Sequence, residues 1–263
     1  MITLRLLLAH MIADYTLQTD WIARHKVQGW RGLLIHFVIV TVASGILIAG
    51  LVPYWWGWAL LLGVLHLLID QYRTFHARDI KAKWSLPYLL FDQATHLLTI
   101  SVIAQAAANE SPGDVWRLLS EPPDVAIVWP LGLSVLADRP GAPGQATLAI
   151  LAIFLIWTTA VLEMEVVRAL SRPCKTLPPT GILPLDRLFG ASERLIAVAL
   201  LFSPYPALSL AAFLPRLFWC LRYMPKSDSF GLPATRLACE IRTLVSMLAA
   251  FGAGLLLLHV RLF

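Results

Sequence analysis

Long apolar runs recur along this chain, and they leave it few ways to fold. From Gly32 to Val52 no side chain is charged, and His36 is the one ionisable group. A run of about 20 such residues matches the hydrocarbon thickness of a bilayer. In lipid, only helices or closed barrels satisfy every backbone N–H and C=O. Barrel strands alternate apolar and polar side chains, whereas these runs are continuous, so the chain reads as all-α. Charged residues are 14% of the 263 and hydrophobic ones 58%, against about 25% charged in a soluble domain. The expectation is a polytopic integral membrane helical bundle with about eight transmembrane helices.

The spans run over about Ile2–Leu17, Gly32–Val52, Ala59–Tyr72, Pro87–Ala108, Ala146–Leu170, Leu185–Phe202, Ala207–Tyr223 and Leu237–Val260. Pro53 ends the second, and Tyr54, Trp55, Trp56 and Trp58 after it read as an interfacial aromatic belt. This predicts a four-helix part over 1–109, an acidic extracytoplasmic connection over 110–145 and a second four-helix part over 146–263. The apolar middle of the connection, Val125–Ala137, is too short to span and reads as lying on the membrane surface.

Net charge is +5, but the basic residues fall in short loops after spans one, three, five and seven. That alternation is the positive-inside pattern of a multi-pass plasma-membrane protein, with basic loops cytoplasmic and both termini outside. It argues against a nucleic-acid partner. The loop after span one, Gln18–Arg31, reads as a polar connection holding Arg24, Lys26 and Arg31. Cys174, Cys220 and Cys239 form no C-x-x-C pair, so neither a disulfide framework nor a thiolate metal site is expected. The first apolar run is interrupted by His10 and Asp14 and lacks a small-residue cleavage site, so it does not read as a signal peptide.

Three signatures sit inside the first four spans: His10-x-x-x-Asp14, His66-x-x-x-Asp70 and Asp92-x-x-x-His96. Residues at i and i+4 share one helical face, so each pair can aim an imidazole and a carboxylate at one point. Ionisable groups in an apolar span mark function by default. Alternating topology puts them at one level. At 1.5 Å per residue His36 lies roughly 7 Å, Asp70 roughly 5 Å and His66 roughly 10 Å from the cytoplasmic face, with Asp92 and His96 similar. His10, Asp14, His36, His66, Asp70, Asp92 and His96 are therefore the candidate ligands of one or two divalent ions. Zn²⁺ suits this nitrogen and oxygen set, as do Fe²⁺ and Mn²⁺. Gln18 and Gln93, and also Gln71, are candidate outer donors to those ligands. Asp14, His36 and Asp92 are the candidate acid–base groups.

The second half carries a different set. Span five ends Glu163-Met-Glu165-Val-Val-Arg168, and span six holds Asp186, Arg187, Glu193 and Arg194. Arginines at this depth could bind phosphate or carboxylate headgroups bidentately, which makes Arg187, Glu193 and Arg194 the candidate headgroup site; the alternative for Arg187 and Arg194 is Glu/Arg pairing between helices or snorkelling to the interface. Arg216 and Arg242 read as interhelical ion-pair partners. His25 and His76 read as loop residues, and His259 as interfacial.

The opening Leu-Leu-Ala-His10-Met-Ile-Ala-Asp14-Tyr-Thr-Leu-Gln18-Thr-Asp20-Trp, with His66-Leu-Leu-Ile-Asp70 and Phe-Asp92-Gln93-Ala-Thr-His96-Leu, resembles the bacterial membrane family catalogued as domain of unknown function 3307. In the second half, Gly190-Ala-Ser-Glu193-Arg194-Leu is similar to a segment that accompanies that domain in longer members. The resemblance implies a bacterial inner-membrane protein and carries no activity with it.

The residues themselves point to a membrane-embedded, metal-dependent hydrolase or transferase acting on a phosphate-containing lipid headgroup from the cytoplasmic leaflet. A paired divalent site is the usual apparatus for phosphoester hydrolysis. Two alternatives use the same residues: a metal-ion or proton transporter, and a b-type haem protein with axial ligands among His36, His66 and His96. A structural membrane protein is the fallback.

Overall fold

The computed structural model describes residues 2–76, 84–109, 145–170, 184–223 and 236–262. Among the described residues every regular element is helical. The acidic connection from 110 to 144, with its apolar stretch 125–137, lies outside them, as do the basic segments 77–83 and 171–183 and the segment 224–235. Among the described residues, three helices are long and apolar enough to cross a membrane: Trp30–Ile48, Ala146–Leu170 and Arg236–Leu258.

Two compact units are present, and the first is built from 2–76, 90–109 and 145–150. Helix α1 (Ile2–Met11) runs into a widened turn, Ile12–Thr16. There Leu17 N donates to Ile12 O at 2.8 Å, five residues back. Helix α2 (Asp20–Gln28) follows, then α3 (Trp30–Ile48), α4 (Trp55–His76) and α5 (Ser85–Asn109). The segment expected to be a polar connection is thus mostly a helix. Thr19 caps it, its hydroxyl accepting from Ile22 N, in the manner that starts short helices.

Leu6, Ile48, Val52, Leu62, Ile100, Ile103, Ala104 and Ala107 form the core of this unit. Trp55 and Trp58, expected in an interfacial belt, are half-buried and pack against that core. Helices α3 and α4 approach closely where a Cβ on Gly63 would strike the Thr41 side chain. Small residues allow this contact between apolar helices, and it brings His36 and His66 within reach of each other.

The second unit includes 151–170, 184–223 and 236–262. It holds the end of α6 (Gln145–Ile153), a second widened turn (Phe154–Thr158), α7 (Thr159–Leu170) and α8 (Pro184–Leu201). A 3₁₀ segment, Pro206–Phe213, leads to α9 (Leu214–Tyr223), and α10 (Arg236–Leu262) closes the chain. The expected seventh span is therefore only half α-helical. Pro215 lacks an N–H and its ring clashes with the carbonyl four residues back, so the α-helix begins at Leu214. Leu151, Leu155 and Ala253 make one apolar cluster of this unit; Ala197, Phe213 and Ala250 make another.

Cys220 and Cys239 form a disulfide between α9 and α10, with Cα atoms 5.7 Å apart. This corrects the expectation of no disulfide. Spacing along the chain carries no signal for two cysteines that meet across a helix pair.

Candidate metal centre

The residues of the candidate centre all lie in the first unit. Helix α1 supplies His10, the widened turn Asp14 and Tyr15, α3 His36, α4 His66 and Asp70, and α5 Asp92 and His96. The extra residue in the turn matters. It breaks the regular i, i+4 register after Met11, so His10 Nδ1 and Asp14 Oδ1 stand 3.7 Å apart while Asp14 also reaches α3 and α4. Such single π-type turns occur often at functional sites. His10, His36, His66, Asp70, Asp92 and His96 are each no more than 4% exposed.

Four donor atoms form a knot. His36 Nε2 is 3.0 Å from His66 Nε2 and 3.1 Å from Asp14 Oδ1. His66 Nε2 is 3.3 Å from Asp14 Oδ1 and 3.4 Å from Asp70 Oδ2. His36 Nε2 is 3.5 Å from Asp70 Oδ2. Four ligands held about 2.0–2.1 Å from a tetrahedral ion stand about 3.3–3.4 Å from one another. The five separations among these atoms are close to that spacing. A proton shared between the two imidazoles would satisfy that pair alone, whereas Asp14 Oδ1 and Asp70 Oδ2 each also lie within 3.5 Å of both nitrogens.

A second, looser set adjoins it. His96 Nε2 lies 3.7 Å from Asp92 Oδ1 and 3.8 Å from Asp70 Oδ1. Donor atoms of Asp70, Asp92 and His96 fall within 4.8 Å of one another, as do those of His10, His66 and His96. Asp70 offers one oxygen to each set, as a carboxylate shared by two ions does. His10 Nδ1, Asp92 Oδ1 and His96 Nε2 are buried and have no hydrogen-bond partner. Orphaned polar atoms in a buried site are costly unless something binds them, and a divalent cation fits both the lone pairs and the negative charge.

An outer ring fixes the orientation of these groups. Tyr15 Oη donates to Gln93 Oε1 at 2.9 Å, and Gln93 Nε2 donates to Asp92 Oδ2 at 3.1 Å. His10 Nε2 is 3.4 Å from Gln93 Oε1. Arg73 Nη1 donates to Asp92 Oδ2 at 2.8 Å. Lys26 Nζ is 2.5 Å from Asp70 Oδ2 and donates to Gln18 Oε1 at 2.8 Å. Partners of this kind set ligand tautomer and basicity. A small cavity opens beside His10, His66 and His96, lined also by Val40, Ser44, Leu62, Thr99 and Ile100. It has room for about one water.

Sequence reasoning missed Lys26, Arg73 and Tyr15. Lys26 and Arg73 read as loop cations because they lie outside the apolar runs. The Thr19 cap was the available signal that Lys26 sits on a helix and faces one side.

The second unit holds Glu193 and Arg194 in a buried ion-pair network. Arg194 is 0% exposed. It donates to Glu163 Oε1 at 2.6 Å, Ser246 Oγ at 2.9 Å and Leu155 O at 2.5 Å. Arg216 pairs with Glu193 at 2.8 Å and Glu163 at 3.6 Å, and Arg242 with Glu163 at 3.4 Å. A Cβ on Gly190 would meet the guanidiniums of Arg194 and Arg216, which accounts for glycine in Gly190-Ala-Ser-Glu193-Arg194. Headgroup binding by Glu193 and Arg194 is not what this arrangement supports, because both side chains are buried among counter-charges. The side chains of Arg187, His76 and His259 lie outside the described residues.

Residues 2–118 match the family model described as Protein of unknown function (DUF3307). No curated protein and no solved structure matches the chain. Every imidazole and carboxylate of the candidate metal centre falls inside the stretch that matches the DUF3307 domain.

Proposed function

We propose that this is a multi-pass membrane protein of the bacterial inner membrane, with about eight spans and cytoplasmic basic loops, that hydrolyses or transfers a phosphate-bearing lipid headgroup using bound divalent metal. The observation that carries the reading is the set of separations from 3.0 to 3.5 Å among Asp14, His36, His66 and Asp70. They suit Zn²⁺ first, with Fe²⁺ or Mn²⁺ accepted by the same donors. An ion held there supplies Lewis acidity towards a phosphoester.

The chain's own groups do the rest. Asp14, His36, His66 and Asp70 hold the first ion, and Asp70, Asp92 and His96 supply the second position. Asp92 Oδ1, buried without a hydrogen-bond partner, is the carboxylate available to accept a proton when the second position is empty. Gln93 and Tyr15 orient it. The haem alternative gains nothing from the geometry, since the His66 and His96 rings stack 4.1 Å apart with no space for a porphyrin between them.

The test is elemental analysis of the full chain purified in detergent without chelator. One or two equivalents of a transition metal are expected, falling below a tenth of that in His66→Ala and Asp70→Ala. Unchanged metal content in both variants overturns the reading.

A further inference from the structure

Helix α2 is short and two-faced. Trp21 and Val27 are 48% and 51% exposed on one side, while Ile22 and Lys26 are 6% and 9% exposed on the other. A helix with large apolar groups on its open face and cations nearby suits the headgroup level of a membrane. Its inward position is set by Gly32, where a Cβ would collide with the backbone of His25 and Lys26. The end of α2 therefore crosses the start of α3 at backbone contact, and Lys26 enters the metal centre from the side.

Lys26 Nζ is 2.5 Å from Asp70 Oδ2, one of the four converging donors. With a ligand bond of about 2.1 Å, the ammonium stands within about 4.6 Å of the first ion's centre. An ammonium has three donors; Asp70 and Gln18 take two. The charges then decide what belongs there. Asp14, Asp70 and Asp92 face Lys26 and Arg73, so the carboxylates outnumber the cations. A single divalent ion reverses that balance. Asp70 Oδ2 stands between the ion and Lys26 with a single negative charge, so the excess positive charge favours a further anion beside them.

We infer that Lys26 binds the anionic phosphate group of the substrate, bridging it to the metal, and that the centre accepts phosphate oxyanions for this reason. The inference rests on the metal reading above. Lysine suits the role as a compact point charge with a donor to offer, and α2 brings it in at the level where phosphate headgroups lie.

The experiment uses the full chain in detergent, loaded with Zn²⁺. Wild type, Lys26→Met and Lys26→Arg are titrated with inorganic phosphate and with short-chain phosphatidic acid, after metal content is measured in the same samples. With Zn²⁺ supplied in excess, Lys26→Met is expected to reach the wild-type metal content and bind phosphate at least tenfold more weakly; Lys26→Arg is expected to recover to within threefold. Tighter binding of phosphatidic acid than of inorganic phosphate identifies a lipid as the source, and equal binding identifies free phosphate. Equal phosphate affinity in wild type and Lys26→Met, with metal retained, overturns the role of Lys26 and leaves the metal reading intact. So does loss of metal in Lys26→Met, which would make Lys26 part of the cation site's scaffold. Absence of metal from wild type overturns both.

Discussion

The Nε2 atoms of His36 and His66, on adjacent helices, stand 3.0 Å apart in the buried interior of the first unit. An Nε2–H on one ring donating to the other would satisfy that pair alone. Asp14 and Asp70 add oxygens at 3.1 to 3.5 Å from the same nitrogens. A shared cation is the simplest solution to all five contacts at once.

That relationship predicts the ranking of metal affinities. Groups that only orient a ligand cost about 10–100-fold when removed. His36→Ala and His66→Ala remove ligands themselves and should each exceed about 100-fold. Competition with a chromophoric chelator measures this. A smaller loss in His66→Ala than in Gln93→Ala would contradict the assignment.

Metal should also stabilise the fold. A ligand at 100 times its Kd adds about 2.7 kcal/mol, worth roughly 5–11 °C in Tm for a chain of this size. Thermal unfolding in detergent, followed by circular dichroism with and without chelator, should show that shift. The shift should vanish in Asp70→Ala.

Gly32 controls the depth of Lys26. Gly32→Ala forces α2 away from α3 and should separate Lys26 from Asp70. The expected phenotype is that of Lys26→Met: metal kept, phosphate binding at least tenfold weaker. Wild-type phosphate affinity in Gly32→Ala would show that α2 tolerates the extra carbon.

Arg194 should behave as a structural residue. Replacing it with alanine leaves Glu163 with a buried charge and fewer partners, a loss of about 3–5 kcal/mol for a broken buried pair. Unfolding in mixed micelles should show this loss, while metal content per folded chain stays at the wild-type level. A stable variant that loses metal would reverse the assignment.

The disulfide tests the topology. Cys220 and Cys239 flank the segment 224–235, which the proposed orientation puts in the cytoplasm, where structural disulfides are rare. Trapping intact cells with N-ethylmaleimide and mapping the peptides decides between the two orientations: alkylation of both thiols keeps the proposed one. A bridged peptide recovered from trapped cells would put this end of the molecule outside and reverse the orientation.

Much of the fold was legible in the chain because long apolar runs leave few choices but helix. The apolar runs gave helix positions to within a few residues for α3, α5, α8 and α10. The exceptions have local causes: Thr19 starts a helix where polarity suggested a loop, and Pro215 restricts the α-helix to the second half of one span. The disulfide left no mark in cysteine spacing.

The sequence alone determined which side chains were available, since His10, Asp14, His36, His66, Asp70, Asp92 and His96 are costly inside apolar helices and so stood out without coordinates. Only the tertiary structure decided how they divide into a tight set and a loose one, and that Lys26 joins them. Helical periodicity fixes which groups share a face, but not the distance between faces. That distance depends on Gly63 against Thr41, Gly32 against α2 and one extra residue in the turn after Met11, contacts between segments far apart in the chain.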